Sequence, residues 1–242
     1  MQTAQMAQQG NALAQTRMGQ LLESGFGVPR DLGRALGWYE LSAAQKDPLG
    51  LYNLGRLLIE GKGIPKDTDR GARLLSAAAE LNVAAAQVQL AALLELGQGV
   101  PASQEMAVFW LRKAAELGDV NAQTRLAAKY VQGQGVAADP AEAVKWYEIA
   151  SEAGDREAQA SLGQLLLNGA QGLPRDPARA GSWLALAAGQ GQVSAMMALG
   201  RMFETGDGVA RDAANAGYWY SRAAVAGASD ARPALERLRA GK

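Results

Sequence analysis

A pair of glycines recurs along this chain at a nearly constant interval, and this recurrence limits the fold more than any other feature. The first pair is Gly25 and Gly27, and the second, Gly61 and Gly63, follows 36 residues later. Four further pairs continue the series, with one extra residue in the fifth: Gly97/Gly99, Gly133/Gly135, Gly169/Gly172 and Gly206/Gly208. All five tryptophans share one position of the repeat: Trp38, Trp110, Trp146, Trp183 and Trp219. Such a period is typical of arrays in which each unit packs only on its neighbours.

Each unit has the pattern of two helices, A and B. In the second unit the pattern predicts helix A over about 49–60 and helix B over about 68–80. The first glycine of each pair suits a left-handed C-terminal cap on helix A. One column has the preference of an N-cap for helix B: Asp31, Asp67, Ser103, Asp139, Asp176 and Asp212. We expect the tryptophan rings to pack in the core between successive repeats, beside columns of alanine that let helices approach closely.

The period therefore predicts an all-α fold, a right-handed superhelical α/α solenoid of six repeats of about 36 residues. We expect a single repeat domain over 1–242. A partial helix occupies 1–10, the repeats occupy 11–47, 48–83, 84–119, 120–155, 156–192 and 193–229, and a capping helix occupies 230–242.

The fourth unit carries a family pattern. Residues 122–155 follow A-x-x-x-L-G-x-x-Y/L-x-x-G-x-G-V-x-x-D-x-x-x-A-x-x-W-Y-x-x-A-A-x-x-G-D, with Ala127 in place of the glycine of the LG pair. This resembles the Sel1-like repeat (SLR) family, whose members are related to tetratricopeptide repeats. The resemblance implies an adaptor that binds other proteins in signalling, secretion, envelope assembly or protein quality control. One branch of that family has a disulfide in each repeat, and the absence of cysteine here excludes that branch's properties.

Composition excludes several classes of function. The chain has neither cysteine nor histidine, so it lacks the commonest nucleophile–base pairs and metal ligands. The formal net charge of zero argues against a nucleic-acid partner. No apolar run approaches the length of a membrane span. We predict no catalytic residue, no cofactor and no metal. As written, the chain lacks a secretory signal pattern, which predicts a cytoplasmic location, or a bacterial periplasm if a signal peptide has been removed.

Helix A carries the candidate binding residues. Its core columns keep their character between repeats, whereas its outward stripe varies freely, and the resemblance places this stripe on a concave surface. The partner-binding candidates are Tyr52, Asn53, Arg56, Arg125, Gln164 and Arg201. Tyr52 and Arg56 lie one turn apart and are expected to form a joint exposed surface. The sequence thus predicts a monomeric, non-enzymatic scaffold that binds a protein or peptide on the helix-A surface.

Two other functions stay open at this point. The first is an immunity or inhibitor protein that blocks a toxin, which differs from a scaffold only in its partner. The second is a hydrolase of cell-wall or β-lactam substrates. Against the hydrolase stand the missing histidine and cysteine and the absence of a Ser-x-x-Lys motif; only isolated carboxylates such as Glu60 and Asp207 remain.

Overall fold

The computed structural model describes residues 2–240. Over this range it contains fourteen α-helices, and a single isolated bridge between Ala170 and Leu173 is the sole β pairing there. The helices are α1 (Gln2–Gln8), α2 (Ala12–Ser24), α3 (Leu32–Ala44), α4 (Pro48–Glu60), α5 (Thr68–Glu80), α6 (Ala84–Leu96), α7 (Gln104–Glu116), α8 (Val120–Gln132), α9 (Pro140–Glu152), α10 (Arg156–Asn168), α11 (Pro177–Gly189), α12 (Val193–Thr205), α13 (Ala213–Val225) and α14 (Ala231–Ala240).

The chain divides into two compact units. Unit 1 comprises the described residues up to Ala122 together with Gln134–Val136, and unit 2 comprises Gln123–Gly133 and the residues from Ala137 onward. Within each unit, successive helices pack on one another, as α2 to α5 and α10 to α13 do. The helices from α2 to α13 form the six predicted A/B pairs, and α14 is the predicted additional C-terminal helix. Met1 and positions 241–242, which belong to the two predicted terminal helices, lie outside the described residues.

The predicted caps begin the B helices. The carboxylates of Asp31 and Asp67 accept the backbone N–H three residues later at 2.9 Å. Ser103 and the remaining aspartates of this column also accept backbone N–H groups at the starts of their helices. A side-chain oxygen here satisfies a donor that has no partner within the helix, so each cap fixes where helix B starts.

In the third and fourth repeats, the second glycine of the loop is required by a close approach. A Cβ at Gly99 would lie 2.6 Å from the carbonyl oxygen of Thr68, at the start of the preceding B helix. A Cβ at Gly135 would lie 2.3 Å from the equivalent carbonyl of Gln104. Both glycines also have φ near +70°. The loop therefore packs backbone against backbone on the preceding repeat, which only glycine permits.

The tryptophans lie at the edge of the core, and their prediction as core residues was wrong. All five are half-buried. The enclosed side chain belongs to the next residue along: Tyr39, Leu75, Leu111, Tyr147, Leu184 and Tyr220 are each at most 5% exposed. Neighbouring positions on a helix differ by about 100°, so the residue that faces the packed helix A leaves its neighbour at the margin.

Buried glutamines join successive repeats, a feature that the sequence patterns did not reveal. The side-chain amide of Gln15 donates to the Ala7 carbonyl oxygen at 3.2 Å. Gln87 donates to Ala79 at 3.0 Å in the same way. In unit 2, Gln159 donates to the Ser151 carbonyl oxygen, also at 3.0 Å. Each bond joins an A helix to a carbonyl near the end of the helix before it, which is α1 or a B helix, and so fixes the register between them.

Candidate partner-binding surface

In unit 1, the structure places only part of the predicted stripe at the surface. Tyr52 on α4 is half-buried, and its hydroxyl accepts a hydrogen bond from Gln89 Nε2 at 3.3 Å. Asn53 is buried, with 6% of its surface exposed, so it does not belong to an exposed stripe. The reason is that α4 packs on α2 as well as on α3 and α5, which covers all but a narrow face of the helix.

Arg56 is held by carboxylates of its own chain. Its guanidinium donates to Glu23 Oε1 at 2.5 Å and to Glu60 Oε1 at 2.9 Å. Glu23 also accepts the Tyr39 hydroxyl at 2.8 Å. Burial lowers the pKa of Arg56, but the hydrogen bonds to both carboxylates outweigh it and raise that pKa. Arg56 therefore joins α2 to α4 and is not the open hydrogen-bond donor that the sequence predicted.

A glutamate that accepts hydrogen bonds from a tyrosine and an arginine, as Glu23 does, occurs again in unit 2. Glu204 accepts the Tyr220 hydroxyl at 2.7 Å and two hydrogen bonds from Arg237, both at 2.9 Å. Glu204 and Tyr220 follow Glu23 and Tyr39 by 181 residues, and Arg237 follows Arg56 by the same interval. Helix α14 thus supplies the arginine that helix A of a repeat supplies elsewhere.

Two open pockets lie on the helix-A face of unit 2. The first, with a volume of about 400 Å³, is lined by Val131, Tyr147, Ser161, Gln164, Leu165, Asn168, Gly169 and Ala170. Its walls are mostly apolar, and the polar groups of the lining are the amides of Gln164 and Asn168 and the hydroxyls of Ser161 and Tyr147. The extra residue of the fifth repeat contributes to it: Gly169 has φ 68° and ψ 179°, unlike the left-handed caps of the other repeats, and this brings Ala170 to the wall.

The second pocket, of about 260 Å³, is more polar. It is lined by Gln164, Leu167, Asn168, Arg175, Arg201, Met202, Thr205 and Asp207. Arg175 donates to Asp207 Oδ2 at 2.5 Å and to the Leu167 carbonyl oxygen at 2.6 Å. Arg201 is exposed.

The two pockets are the same site in successive repeats. Val131, Gln164, Leu165 and Asn168 of the first correspond in the repeat to Leu167, Arg201, Met202 and Thr205 of the second. Gln164 and Asn168, joined by a 3.0 Å hydrogen bond, stand between them and line both. A further cavity of about 300 Å³ adjoins Gln164 on α10. Side chains of differing character thus line equivalent positions along one surface.

Of the predicted residues, the structure therefore brings Gln164 and Arg201 together in one pocket. Tyr52 and Arg56 share α4 in unit 1, and Arg125 is half-buried on α8 and lines neither pocket. The prediction missed several lining residues, among them Ser161, Leu167 and Thr205. Comparing the surroundings of Arg56 and Arg201 along the repeats would have found the last two, because they take the positions of Glu23 and Glu60.

No group of three or more carboxylates is placed to hold a metal ion within residues 2–240. Over the same range, no helix has the length and apolar character needed to cross a membrane.

Comparison with known protein families identifies the repeat. The family model described as Sel1 repeat matches six consecutive segments, residues 12–47, 48–83, 84–119, 120–155, 156–192 and 193–227. The chain belongs to the Sel1 repeat family. Sel1 repeats mediate protein interactions, and the family is generally of the non-catalytic scaffold type. No match was found among the curated proteins compared.

Solved structures with the same fold include bacterial SLR proteins. The protective antigen c5321 of uropathogenic Escherichia coli strains is 30% identical with a TM-score of 0.93, over 98% of this chain and 50% of that one. The chain thus spans half the length of c5321. A Sel1 repeat protein from Oxalobacter formigenes is 33% identical with a TM-score of 0.74, over 89% and 86%. The immunity protein PA5088 from Pseudomonas aeruginosa, at 20% identity and a TM-score of 0.50 over 95% and 82%, is similar in fold alone.

Proposed function

We propose that this Sel1 repeat protein is a non-enzymatic scaffold that binds a protein partner on the helix-A face of unit 2. The observation that carries the proposal is the pair of equivalent, adjoining pockets on either side of Gln164 and Asn168. Their walls come from successive A helices and differ in chemistry from one repeat to the next. A surface of this kind can select a sequence, because each repeat offers its own side chains to a different part of the ligand.

The shape and chemistry of the lining favour a polypeptide ligand. Ser161, Gln164 and Asn168 lie three or four residues apart on α10, so they share one face of the helix. They combine hydroxyl and amide groups with the apolar walls formed by Tyr147 and Leu165. Hydroxyl and amide groups pair with backbone N–H and C=O groups, and the apolar walls accept side chains. This mixture is typical of protein interfaces.

Site-specific photo-crosslinking in the native host tests the proposal. A photoreactive amino acid at position 164 is expected to capture a partner that the same amino acid at position 145 does not capture. Lys145 is the control because it lies on helix B, with 68% of its side chain exposed. The captured partner is then purified, and its affinity is measured by calorimetry against Gln164→Arg and Lys145→Ala variants.

We expect Gln164→Arg to weaken binding by at least about 1 kcal/mol, because the larger side chain fills the space between the pockets. The Lys145→Ala variant should bind like the parent protein. If the partner crosslinks through position 145 and Lys145→Ala alone weakens binding, recognition takes place on the helix-B side and the proposal is wrong.

A further inference from the structure

Two arginines at the same position of the repeat have different surroundings. Arg56 on α4 and Arg201 on α12 are equivalent residues of the second and sixth repeats. The Arg56 guanidinium binds Glu23 and Glu60. The Arg201 guanidinium, by contrast, forms no ion pair or hydrogen bond with any residue in the range 2–240. The difference lies in their neighbours.

Both carboxylates that hold Arg56 are replaced around Arg201. The position of Glu23 is taken by Leu167, and that of Glu60 by Thr205. Thr205 cannot substitute for a carboxylate, because its hydroxyl carries no charge. That hydroxyl donates to the Arg201 carbonyl oxygen at 2.9 Å. Leu167, Arg201 and Thr205 all line the 260 Å³ pocket. An open pocket therefore lies beside Arg201. At the equivalent place in unit 1, the Glu23 carboxylate lies beside Arg56.

The charges around this pocket favour an anion. Arg175 and Arg201 contribute two positive charges, and Asp207, which is already bound to Arg175, contributes one negative charge. The remaining lining residues are neutral, so the pocket carries a net charge of +1 beside an arginine with free N–H donors. The adjoining pocket of the preceding repeat is lined by neutral residues alone.

We infer that the pocket at Arg201 binds an acidic side chain of the protein partner, presented by an extended segment. The same segment places an apolar side chain in the neighbouring pocket, against Tyr147 and Leu165. This inference rests on the proposed function and specifies the chemistry of its partner. The Arg56–Glu23 pair shows the geometry in this chain: the carboxylate meets the guanidinium directly, a charge-assisted hydrogen bond that is stronger than a neutral one.

The distance between the pockets sets the spacing of the two side chains. Packed helices lie about 8–10 Å apart, and side chains on one side of an extended segment are about 7 Å apart. Residues two positions apart in a β-type segment, or three positions apart (about 9 Å) in a polyproline II segment, lie on one side of it. The apolar and acidic residues are therefore two or three positions apart in the partner. The Gln164 and Asn168 side chains lie between the pockets. They are therefore placed to form hydrogen bonds with the partner's backbone between its apolar and acidic residues.

Synthetic peptides test this directly. The probes are fluorescein-labelled, C-terminally amidated nonapeptides in a glycine–serine background, with Leu and Glu two or three positions apart. Binding to the full chain is measured by fluorescence polarisation, beside matched peptides with Gln for Glu or Gly for Leu. We expect the Glu→Gln change to weaken binding about tenfold, as for the loss of a hydrogen bond between charged groups. A Gln peptide with a free C-terminal carboxylate should not recover the binding that is lost with the Glu side chain.

Three variants of the chain identify the pocket. Arg201→Gln should remove the preference for Glu over Gln, whereas Arg56→Gln, at the equivalent position of unit 1, should keep it. Leu167→Glu should also abolish the preference, because it restores the internal carboxylate that Arg56 has in Glu23. Since Leu167 is half-buried, Thr205→Glu at an exposed site provides a second test, as the counterpart of Glu60.

The inference is overturned if the Leu/Glu peptides do not bind, if the Gln peptides bind equally well, or if Arg201→Gln retains the preference. The inference is also overturned if peptides bind whenever their C-terminal carboxylate is free, with or without an internal Glu. These outcomes are distinct from failure of the proposed function. If the purified partner is weakened by Gln164→Arg but not by Arg201→Gln, the helix-A face binds the partner without an acidic anchor, and only the inference made here is wrong.

Discussion

The ring of Tyr39 occupies the space that a side chain at Gly19 would need: a Cβ there would lie 2.4 Å from the Tyr39 ring carbon Cε1. The pair joins the A and B helices of the first repeat, and Gly200 and Tyr220 repeat the relationship, at the same 2.4 Å, in the sixth. In both places the tyrosine hydroxyl donates to a glutamate on the same A helix as the glycine. The glycine lets the ring enter, and the glutamate satisfies its hydroxyl.

Substitution of this glycine tests the packing. Gly19→Ala should destabilise the protein by about 1–3 kcal/mol, because the added methyl group overlaps an enclosed aromatic ring. Gly37→Ala on α3 is the matched control, since a Cβ there would meet nothing within 4 Å. That variant should be stabilised by about 0.5–1 kcal/mol through reduced backbone entropy of the unfolded chain. Equal urea midpoints for the two variants would contradict the close packing of Tyr39 on Gly19.

Trp110 and Leu111 are neighbours on α7, and the smaller residue should matter more. Leu111 is fully enclosed, so Leu111→Ala should leave a cavity and cost about 2–5 kcal/mol. Trp110 is half-buried, with its ring edge-on to Phe109, and its truncation leaves an open surface that solvent and neighbours can fill. We expect Trp110→Ala to cost about 1–2 kcal/mol. A larger loss for Trp110→Ala in urea denaturation would place the tryptophan column in the core after all.

Arg56 should contribute to stability. Arg56→Ala is expected to destabilise the protein by about 1–2 kcal/mol, because it leaves the partly buried Glu23 carboxylate without its charged partner. Arg201→Ala, at the equivalent but unpaired position, should change the free energy of unfolding by less than about 0.5 kcal/mol. A double-mutant cycle of Arg56→Ala with Glu23→Gln measures the pair, and a coupling near zero would refute the assignment.

The Glu204 carboxylate should make stability depend on pH. The hydrogen bond from Arg237 lowers the pKa of Glu204 below its usual value of 4.5, so the unfolded chain binds this proton more tightly. Its stabilisation is therefore present above about pH 4.5 and is lost as the pH falls through the lower native pKa.

The measurement is the urea midpoint of the parent protein and of Glu204→Gln between pH 6 and pH 3. The parent should be the more stable at pH 6, and the difference should shrink as the pH falls. Arg237→Gln should show the same loss of pH dependence, because it removes the donor. A difference that stays constant over this range would contradict the linkage.

The sequence by itself determined the repeat and its local chemistry. The 36-residue period, the capping column that includes Asp31 and Asp67, and the glycine pairs predict the helix pairs, because these signals act within a few residues of where they lie. Helix B of the second repeat begins and ends at the predicted Thr68 and Glu80. Membership of the Sel1 repeat family follows from the same columns.

Tertiary packing decided which members of a column are enclosed, paired or open. Tyr52, Asn53 and Arg56 belong to the same predicted stripe of α4. Asn53 is nevertheless buried, and Arg56 is bound to Glu23, which lies 33 positions earlier in the chain. Arg56 and Arg201 occupy the same position of the repeat, and only their neighbours on the preceding A helix and one turn along their own distinguish a paired guanidinium from an open one. Periodicity assigns a residue to a column, but the free energy of a charge depends on what surrounds it in space, and part of those surroundings comes from another repeat.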